Sequence, residues 1–369
     1  MKYNWELEHW PDFSFVLTDV EPLLYAFALE TGEVNGILQT LPNEIQQEAL
    51  LQTMISEAIK TSEIEGEFLS RADVLSSIKN KLGINMSPDV VRDKKASGVG
   101  ELMVDVRKTF KAPLDKDKLW FWHQLLLSSV KGINVGCWRT GDEPMQVISG
   151  IIGKERVHFQ APPSSVVPQE MERFINWFNE TAPGGKHAIN YAPVRAAIVH
   201  LYFESIHPFE DGNGRVGRAL AEKALSQTLG RPVLLSLSKT IEGQKRVYYK
   251  ALEQAQKSND ISAWIKYFVK TVLDAQLDAK KLVHFTLFKT KFFDLYRSVL
   301  NERQLKAVKK IMDAGSEGFE GGMTAKKYSS INRVSKATAT RDLKELVDLK
   351  VLLASGAGRS VHYELNMVV

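Results

Sequence analysis

A mostly α-helical fold with two small β-hairpins is what this sequence predicts, on three observations. Apolar residues recur at helical spacing through several long stretches, whereas β-rich runs are confined to residues 146–159 and 351–365. A chain of 369 residues, 44% hydrophobic and 25% charged, is long enough for two or three domains, each with its own core. Neither an internal repeat nor a low-complexity segment is visible.

Taken in order, Trp5 to Phe15 is aromatic and broken by Pro11, an extension expected to pack on the core. Asn43 to about Lys60 is an amphipathic helix with Ile45, Leu51, Ile55, Ala58 and Ile59 on its apolar face. It runs into Thr61-Ser62-Glu63-Ile64-Glu65-Gly66, where Gly66 can act as a C-terminal cap. Leu119 to Val130 also reads as helix. Gln146 to Ile152 and Arg156 to Phe159, joined through Gly153 and stopped by Pro162-Pro163, predict a hairpin. Tyr191 to Ile206 carries Pro193 near its first turn and Val194, Ala197, Ile198, Leu201 and Ile206 at helical spacing. A further helix is expected from about Gly214 to Leu229, with Val216, Leu220, Ala224 and Leu225 inward. The divisions expected are 1–95, 96–280, a helical linker 281–300, and 301–369.

Function classes narrow quickly. The single cysteine, Cys137, excludes a disulfide framework and suits a reducing compartment. With no basic-plus-apolar leader and no apolar run of membrane length, a cytoplasmic location without a membrane partner is expected. His123 and His200 read as structural, since no His/Cys/Asp cluster has zinc spacing.

The chemistry concentrates in His207-Pro-Phe-Glu-Asp-Gly-Asn-Gly-Arg-Val-Gly-Arg218. A histidine can take a proton from an attacking hydroxyl near neutral pH. Asp211 can hold Mg²⁺ while phosphates and water complete its shell. Gly212 and Gly214 let backbone approach an anion, and a helix opening there aims its N–H groups at it. Arg215 and Arg218, three apart on one helical face, can both reach phosphate oxygens. The Gly212-x-Gly214-x-x-Gly217 spacing imitates a dinucleotide fingerprint, but that fingerprint needs a preceding strand, and Tyr191–Ile206 reads as helix. The absence of Gly-Lys-Ser/Thr excludes a P-loop.

This segment resembles the Fic family motif His-x-Phe-x-Asp/Glu-Gly-Asn-Gly-Arg-x-x-Arg, matching every specified position. The resemblance implies a Fic-type helical bundle with a hairpin flap, and transfer of AMP from ATP to a Ser, Thr or Tyr hydroxyl of a protein target with release of pyrophosphate. It makes His207 the base, Phe209 the core anchor of the loop and Asp211 the Mg²⁺ ligand. Gly212, Asn213 and Gly214 become the anion cradle, Arg215 the α/β-phosphate contact and Arg218 the γ-phosphate contact. The Thr61-to-Gly66 stretch is similar to the family's inhibitory motif, in which Glu65 pairs with Arg218; Thr61 opens that motif. One guanidinium cannot grip a carboxylate and a phosphate bidentately at once. By the same resemblance, residues 1–95 form an extension bearing the inhibitory helix and 96–280 the catalytic domain. The flap 147–159 would register the target by strand addition; an ordinary surface hairpin is the alternative. Tyr248 and Tyr249 would line the nucleotide site, although paired helical aromatics also build core and rim. Self-modification and a homodimer are compatible with this reading, as are AMP removal and other nucleotidyl transfers.

The remaining segment is the tail. Residues 321–369 hold eight Lys and Arg against four Asp and Glu, which leaves the rest of the chain balanced. After a Gly/Glu-rich break at 315–322, the order is helix, helix, helix, hairpin: Asn301 to Ala314 first, a second capped by Thr324 through Ile331, a third capped by Ser335. Ala339, Leu343, Leu346 and Val347 point the third inward, and Val351 to Leu365 alternates around Gly356 and Gly358. This resembles a winged helix-turn-helix, offering Lys336, Thr338, Thr340, Arg341 and Lys344 on the recognition helix and Arg359 on the wing. DNA binding through 321–369 and protein docking both remain open, so the alternative to an enzyme is a nucleotide-sensing transcriptional regulator.

Overall fold

The computed structural model describes residues 2–84, 87–150, 156–315 and 318–367. Helices dominate it. In order they are α1 (Glu21–Thr40), α2 (Asn43–Ile64), α3 (Arg71–Leu82), α4 (Lys94–Lys108) and α5 (Lys116–Leu127). A hairpin of β1 (Gln146–Ser149) and β2 (Arg156–Gln160) follows, then α6 (Val167–Glu180), α7 (Ala192–Ile206) and α8 (Asn213–Leu229). Next come α9 (Leu237–Gly243), α10 (Lys245–Ala255) and α11 (Ser262–Tyr296), and finally α12 (Glu302–Met312), α13 (Ala325–Asn332), α14 (Lys336–Asp348), β3 (Leu352–Ser355) and β4 (His362–Leu365). Side-chain oxygens of Ser70, Asp93, Asp115 and Ser236 cap α3, α4, α5 and α9; each such cap stabilises its helix by roughly 1 kcal/mol.

Two compact units divide the chain. One comprises the residues through Glu33 with Leu50–Leu277, the other Val34–Ala49 with the residues from Asp278 onward. The segment expected as a linker, 281–300, lies mostly within α11.

In the first unit α7 is the central element, with every residue from Ala192 to Ile206 buried. Its apolar surface goes all round, the signature of a helix enclosed by others. It packs on α8, and α8 in turn on α4, α5 and α9. The buried Arg195 of α7 donates to the Phe178 carbonyl of α6 (2.8 Å) and the Ala224 carbonyl of α8 (3.2 Å), tying three helices. Burial pulls that guanidinium down to about 10. The aromatic N-terminal segment docks here. Asn4 donates to Ser205 Oγ (2.8 Å), Trp5 to the Gln160 carbonyl (2.7 Å), and the Trp10 ring meets Tyr202 edge-on at 5.2 Å.

α2 continues past the expected end near Lys60 to Ile64, because no helix breaker intervenes before Gly66, whose φ of 81° ends it. Thr61 is therefore held on a helix. In the flap, Val147 pairs with Phe159 and Ile148 with Val157, with a bulge at His158 between them. Residues 151–155, including Gly153 and Lys154 of the expected turn, lie outside the described residues.

The second unit has its own core of Phe285, Phe288, Phe292, Val308, Ile311, Tyr328, Leu343 and Leu346. Asn301, Thr324 and Ser335 cap α12, α13 and α14. β3 and β4 pair antiparallel, Leu352 opposite Leu365. Val347, expected inward, is only partly buried. Asp342, 3% exposed, accepts from Arg303 Nε and from the Tyr328 hydroxyl, each at 2.8 Å.

Candidate active site

The loop between α7 and α8 is held from all sides. α7 stops at His207, whose φ of 51° puts a non-glycine residue in the left-handed region. Such a conformation costs on the order of 1–3 kcal/mol and persists where surrounding contacts enforce it. Arg139 supplies those contacts: Nε donates to the His207 carbonyl (2.8 Å), Nη2 to that of Pro162 (2.5 Å), and its backbone N–H to that of Pro208 (2.8 Å). Asn213 then clamps the loop. Its Oδ1 accepts from Phe209 N–H (2.9 Å) and its Nδ2 donates to the Phe209 carbonyl (2.8 Å). Its side-chain amide is thus spent inside the loop, which leaves its backbone N–H to face a ligand. Phe209 is fully buried and stacks on His123 with centroids 4.0 Å apart.

His123 also fixes the outer side. Its Nδ1 accepts from Gly136 N–H (2.9 Å), so the ring proton sits on Nε2 and is donated to the Asp211 carbonyl (3.2 Å). Burial pushes the pKa of this ring down, which favours that neutral form.

Gly212 takes φ 83° at the N-cap of α8, and the first helical bond runs from Val216 N–H to the Gly212 carbonyl (3.0 Å). The N–H groups of Asn213, Gly214 and Arg215 precede that ladder and carry the positive end of the helix dipole. A carboxylate already sits beside them. A Cβ on Gly214 would collide with Glu65 Oε1. Glu65 accepts from Arg218 Nη2 (2.8 Å), while Thr61 takes Arg218 Nε on Oγ1 (2.8 Å) and Nη2 on its carbonyl (2.9 Å). Arg218 is 1% exposed; burial works against its charge, but Glu65 and Tyr248 outweigh that and hold its pKa above the ordinary value. Asp211 turns Oδ1 to Gly212 N–H (2.6 Å), and Oδ2 lies 3.5 Å from Arg215 Nη2. With a side chain 53% exposed, it suits an ion that draws one carboxylate from the protein and its other ligands from phosphate and water.

Residues 113–225 match the Fic/DOC family model and residues 3–84 match a domain of unknown function, DUF4172. The chain is 33% identical over 104 residues to proteins called "Protein adenylyltransferase Fic" from Drosophila mojavensis and Drosophila grimshawi. That stretch is 28% of this chain and 18–19% of those relatives. Among solved structures, a Fic family protein from Desulfovibrio desulfuricans superposes with a TM-score of 0.53 at 18% identity, covering 97% of this chain and 98% of that one. A Fic domain containing signaling protein from Bacteroides thetaiotaomicron gives 0.52 at 19% identity over 72% and 96%. Residues 113–225 form a Fic domain.

The remaining candidates divide. Tyr248 is 1% exposed and bonds His200 Nε2 through its hydroxyl (2.8 Å), whereas Tyr249 is 39% exposed beside it. The flap is tied down by Glu253 of α10, which meets His158 Nδ1 at 3.0 Å and Arg156 at 3.2 Å. Together with Lys257 these contacts hold the Glu253 carboxyl down at about 2. Three side chains that sequence reasoning did not single out for the site stand in it. Glu67 accepts from Arg215 Nη1 (2.7 Å), and Lys95 Nζ holds its other oxygen (2.5 Å). Glu204 lies beside His207, and Arg139 carries the loop. The only signal for Glu67 was its place two residues after Glu65; Glu204 was marked by being the single acid in α7.

No helix among the described residues is long and apolar enough to cross a membrane.

Proposed function

We propose that this Fic protein is an autoinhibited adenylyltransferase, moving AMP from ATP to a hydroxyl side chain of a protein target. One observation carries the reading: His207, the N-terminus of α8, Arg215 and Arg218 belong to one buried loop-and-helix unit, and its two arginines are both occupied by carboxylates, Glu67 and Glu65. Carboxylates and phosphate oxygens ask for the same donors, so these acids hold the places that a triphosphate would take.

In the proposed reaction the target oxygen bonds to the α-phosphorus and the bond to the β-phosphate oxygen breaks. The pair leaves on pyrophosphate, and the hydroxyl proton passes to His207. The rate gain would come from positioning and charge neutralisation. Asp211 would hold Mg²⁺, which neutralises phosphate charge when bound. The flap, anchored at Glu253, would offer β1 to the target as an edge strand. Incubation with α-labelled ATP and Mg²⁺ tests the proposal: Glu65→Gly should transfer label to a target or to the protein itself, and loss of label in Glu65→Gly/His207→Ala completes it. Undiminished labelling without His207 would overturn it.

A second reading concerns the C-terminal unit, which we read as a winged-helix module that recruits DNA. Lys336, Thr340, Arg341 and Lys344 are exposed along α14, while Asp342 on the same helix is turned inward onto Arg303. The side chain of Arg359 lies outside what is described. Fluorescence anisotropy with a random duplex at two salt concentrations separates the cases: binding that weakens with salt supports it, and no binding at low salt leaves a protein-docking or dimerising module.

A further inference from the structure

Glu204 lies on α7 one turn before His207 and is 4% exposed. Its Oε2 stands 3.6 Å from His207 Nδ1. Among the described residues, neither His207 Nδ1 nor Glu204 Oε1 has a hydrogen-bond partner. Burying a carboxylate this deeply is costly unless something opposite in charge answers it. Burial does oppose its ionisation, yet His207, His200 and Arg218 outweigh burial and hold the Glu204 carboxyl below the usual range. The titratable groups around it are His200 and His207 on its own helix, Arg218 from α8, Tyr248 from α10 and Glu65 after α2. His200 is otherwise engaged, with Nε2 on the Tyr248 hydroxyl. His207 has nothing else on Nδ1.

The backbone is arranged for this contact. The left-handed φ of His207 turns its ring back over the last turn of α7, where Glu204 sits. α8 makes room with Gly217, a position the Fic motif leaves unspecified: a Cβ there would come within 2.7 Å of Glu204 Oε1. Any side chain at 217 would push the carboxylate from its place.

We propose that Glu204 is the positioning residue of His207, holding the ring proton on Nδ1 so that Nε2 presents its lone pair to the target hydroxyl. The proposal rests on the adenylyltransferase reading. A base that must accept at Nε2 needs its other nitrogen protonated, and a carboxylate at Nδ1 both selects that tautomer and stabilises the imidazolium formed when the hydroxyl proton arrives. At 3.6 Å the contact is longer than a hydrogen bond. Catalytic contacts of this kind commonly tighten when substrate binds.

The test uses the full chain with Glu65→Gly as parent, comparing it with Glu65→Gly/Glu204→Gln. Glutamine keeps the shape but not the charge. The expected result is a kcat lower by about 10²-fold or more with an unchanged KM for ATP. The readout that a merely structural role would not move is the His207 ring itself, followed by ¹⁵N histidine NMR and assigned by its loss in His207→Ala. The parent should show the proton on Nδ1 and a titration midpoint that falls in Glu204→Gln. An unchanged rate, or a lower rate with the ring's tautomer and midpoint unmoved, overturns the proposal. Should Glu204→Gln fold poorly, the parent alone decides, because a proton found on Nε2 refutes it. If no variant transfers AMP, the NMR result still settles the pairing, so its failure and that of the enzymatic reading are told apart.

Discussion

The His207–Arg218 loop and the segment that closes α2 both engage Arg215 and Arg218, but they are held in different ways. The loop from His207 to Arg218 is fixed by hydrogen bonds to carbonyls and amides of its own backbone: Asn213 to Phe209, Arg139 to two loop carbonyls, His123 to Asp211. The segment from Thr61 to Glu67 reaches it through two hydrogen bonds from Arg218 to Thr61 and through ion pairs of Glu65 and Glu67, whose side chains are 29% and 21% exposed. Partly exposed pairs are weak and replaceable, whereas an orphaned buried polar group is expensive. On the proposed function, the difference is a division of labour: the loop is held in place so that chemistry is pre-arranged, and the partly exposed acids of the other segment are the contacts a triphosphate would displace.

The largest effect should come from the rigid side. His207→Ala is expected to lower AMP transfer about 10²–10⁴-fold in single-turnover labelling while leaving the thermal unfolding curve in place. Asn213→Ala should do the opposite kind of damage. It strands the Phe209 N–H and carbonyl in the core, so urea unfolding should report a loss of roughly 1–3 kcal/mol, and activity should fall with the loop. If Asn213→Ala were as stable as the parent, the loop would not be clamped as described.

The movable side should give gains. Glu65→Gly is expected to raise the labelling rate about 5- to 150-fold, the range of ordinary coupling energies. Because Glu67 still occupies Arg215, a smaller additional rise should appear in Glu65→Gly/Glu67→Ala, measured as a lower Kd for ATP. No change from the second substitution would mean that Arg218 alone controls entry.

A pH-dependent effect concerns α8 itself. Burial raises the Glu222 carboxyl from its usual value to about 8, despite the Arg107 guanidinium at 3.7 Å. A folded-state value above the unfolded one means the protonated acid favours the native state below the unfolded value, and that this contribution is lost as pH rises through about 8. Melting temperatures of Glu222→Gln should therefore decline less than those of the parent between the unfolded carboxylate range and pH 8. Parallel curves would place the proton elsewhere.

What could be read from the sequence follows from how far apart the contributing residues lie. The loop His207–Arg218 is contiguous, so its residues stand together in one line, and α8 begins within a residue of where glycine spacing placed it. α7 was recognisable from Pro193 and its length, although burial on every side erases the polar face that marks an amphipathic helix. Glu67, Glu204 and Arg139 were out of reach for a different reason. Glu67 and Arg215 are 148 residues apart, Arg139 and the His207 carbonyl 68, and such pairs exist only after packing. Glu204 is only three residues from His207, yet its role depends on a left-handed turn that a histidine does not announce.

The central claim is that the His207 loop transfers AMP once the Glu65 latch is removed, and intact mass after incubation with ATP and Mg²⁺ tests it most directly. An AMP adduct on Glu65→Gly that exceeds the parent's and disappears in Glu65→Gly/His207→Ala is the predicted result. An adduct that survives the loss of His207 would contradict it.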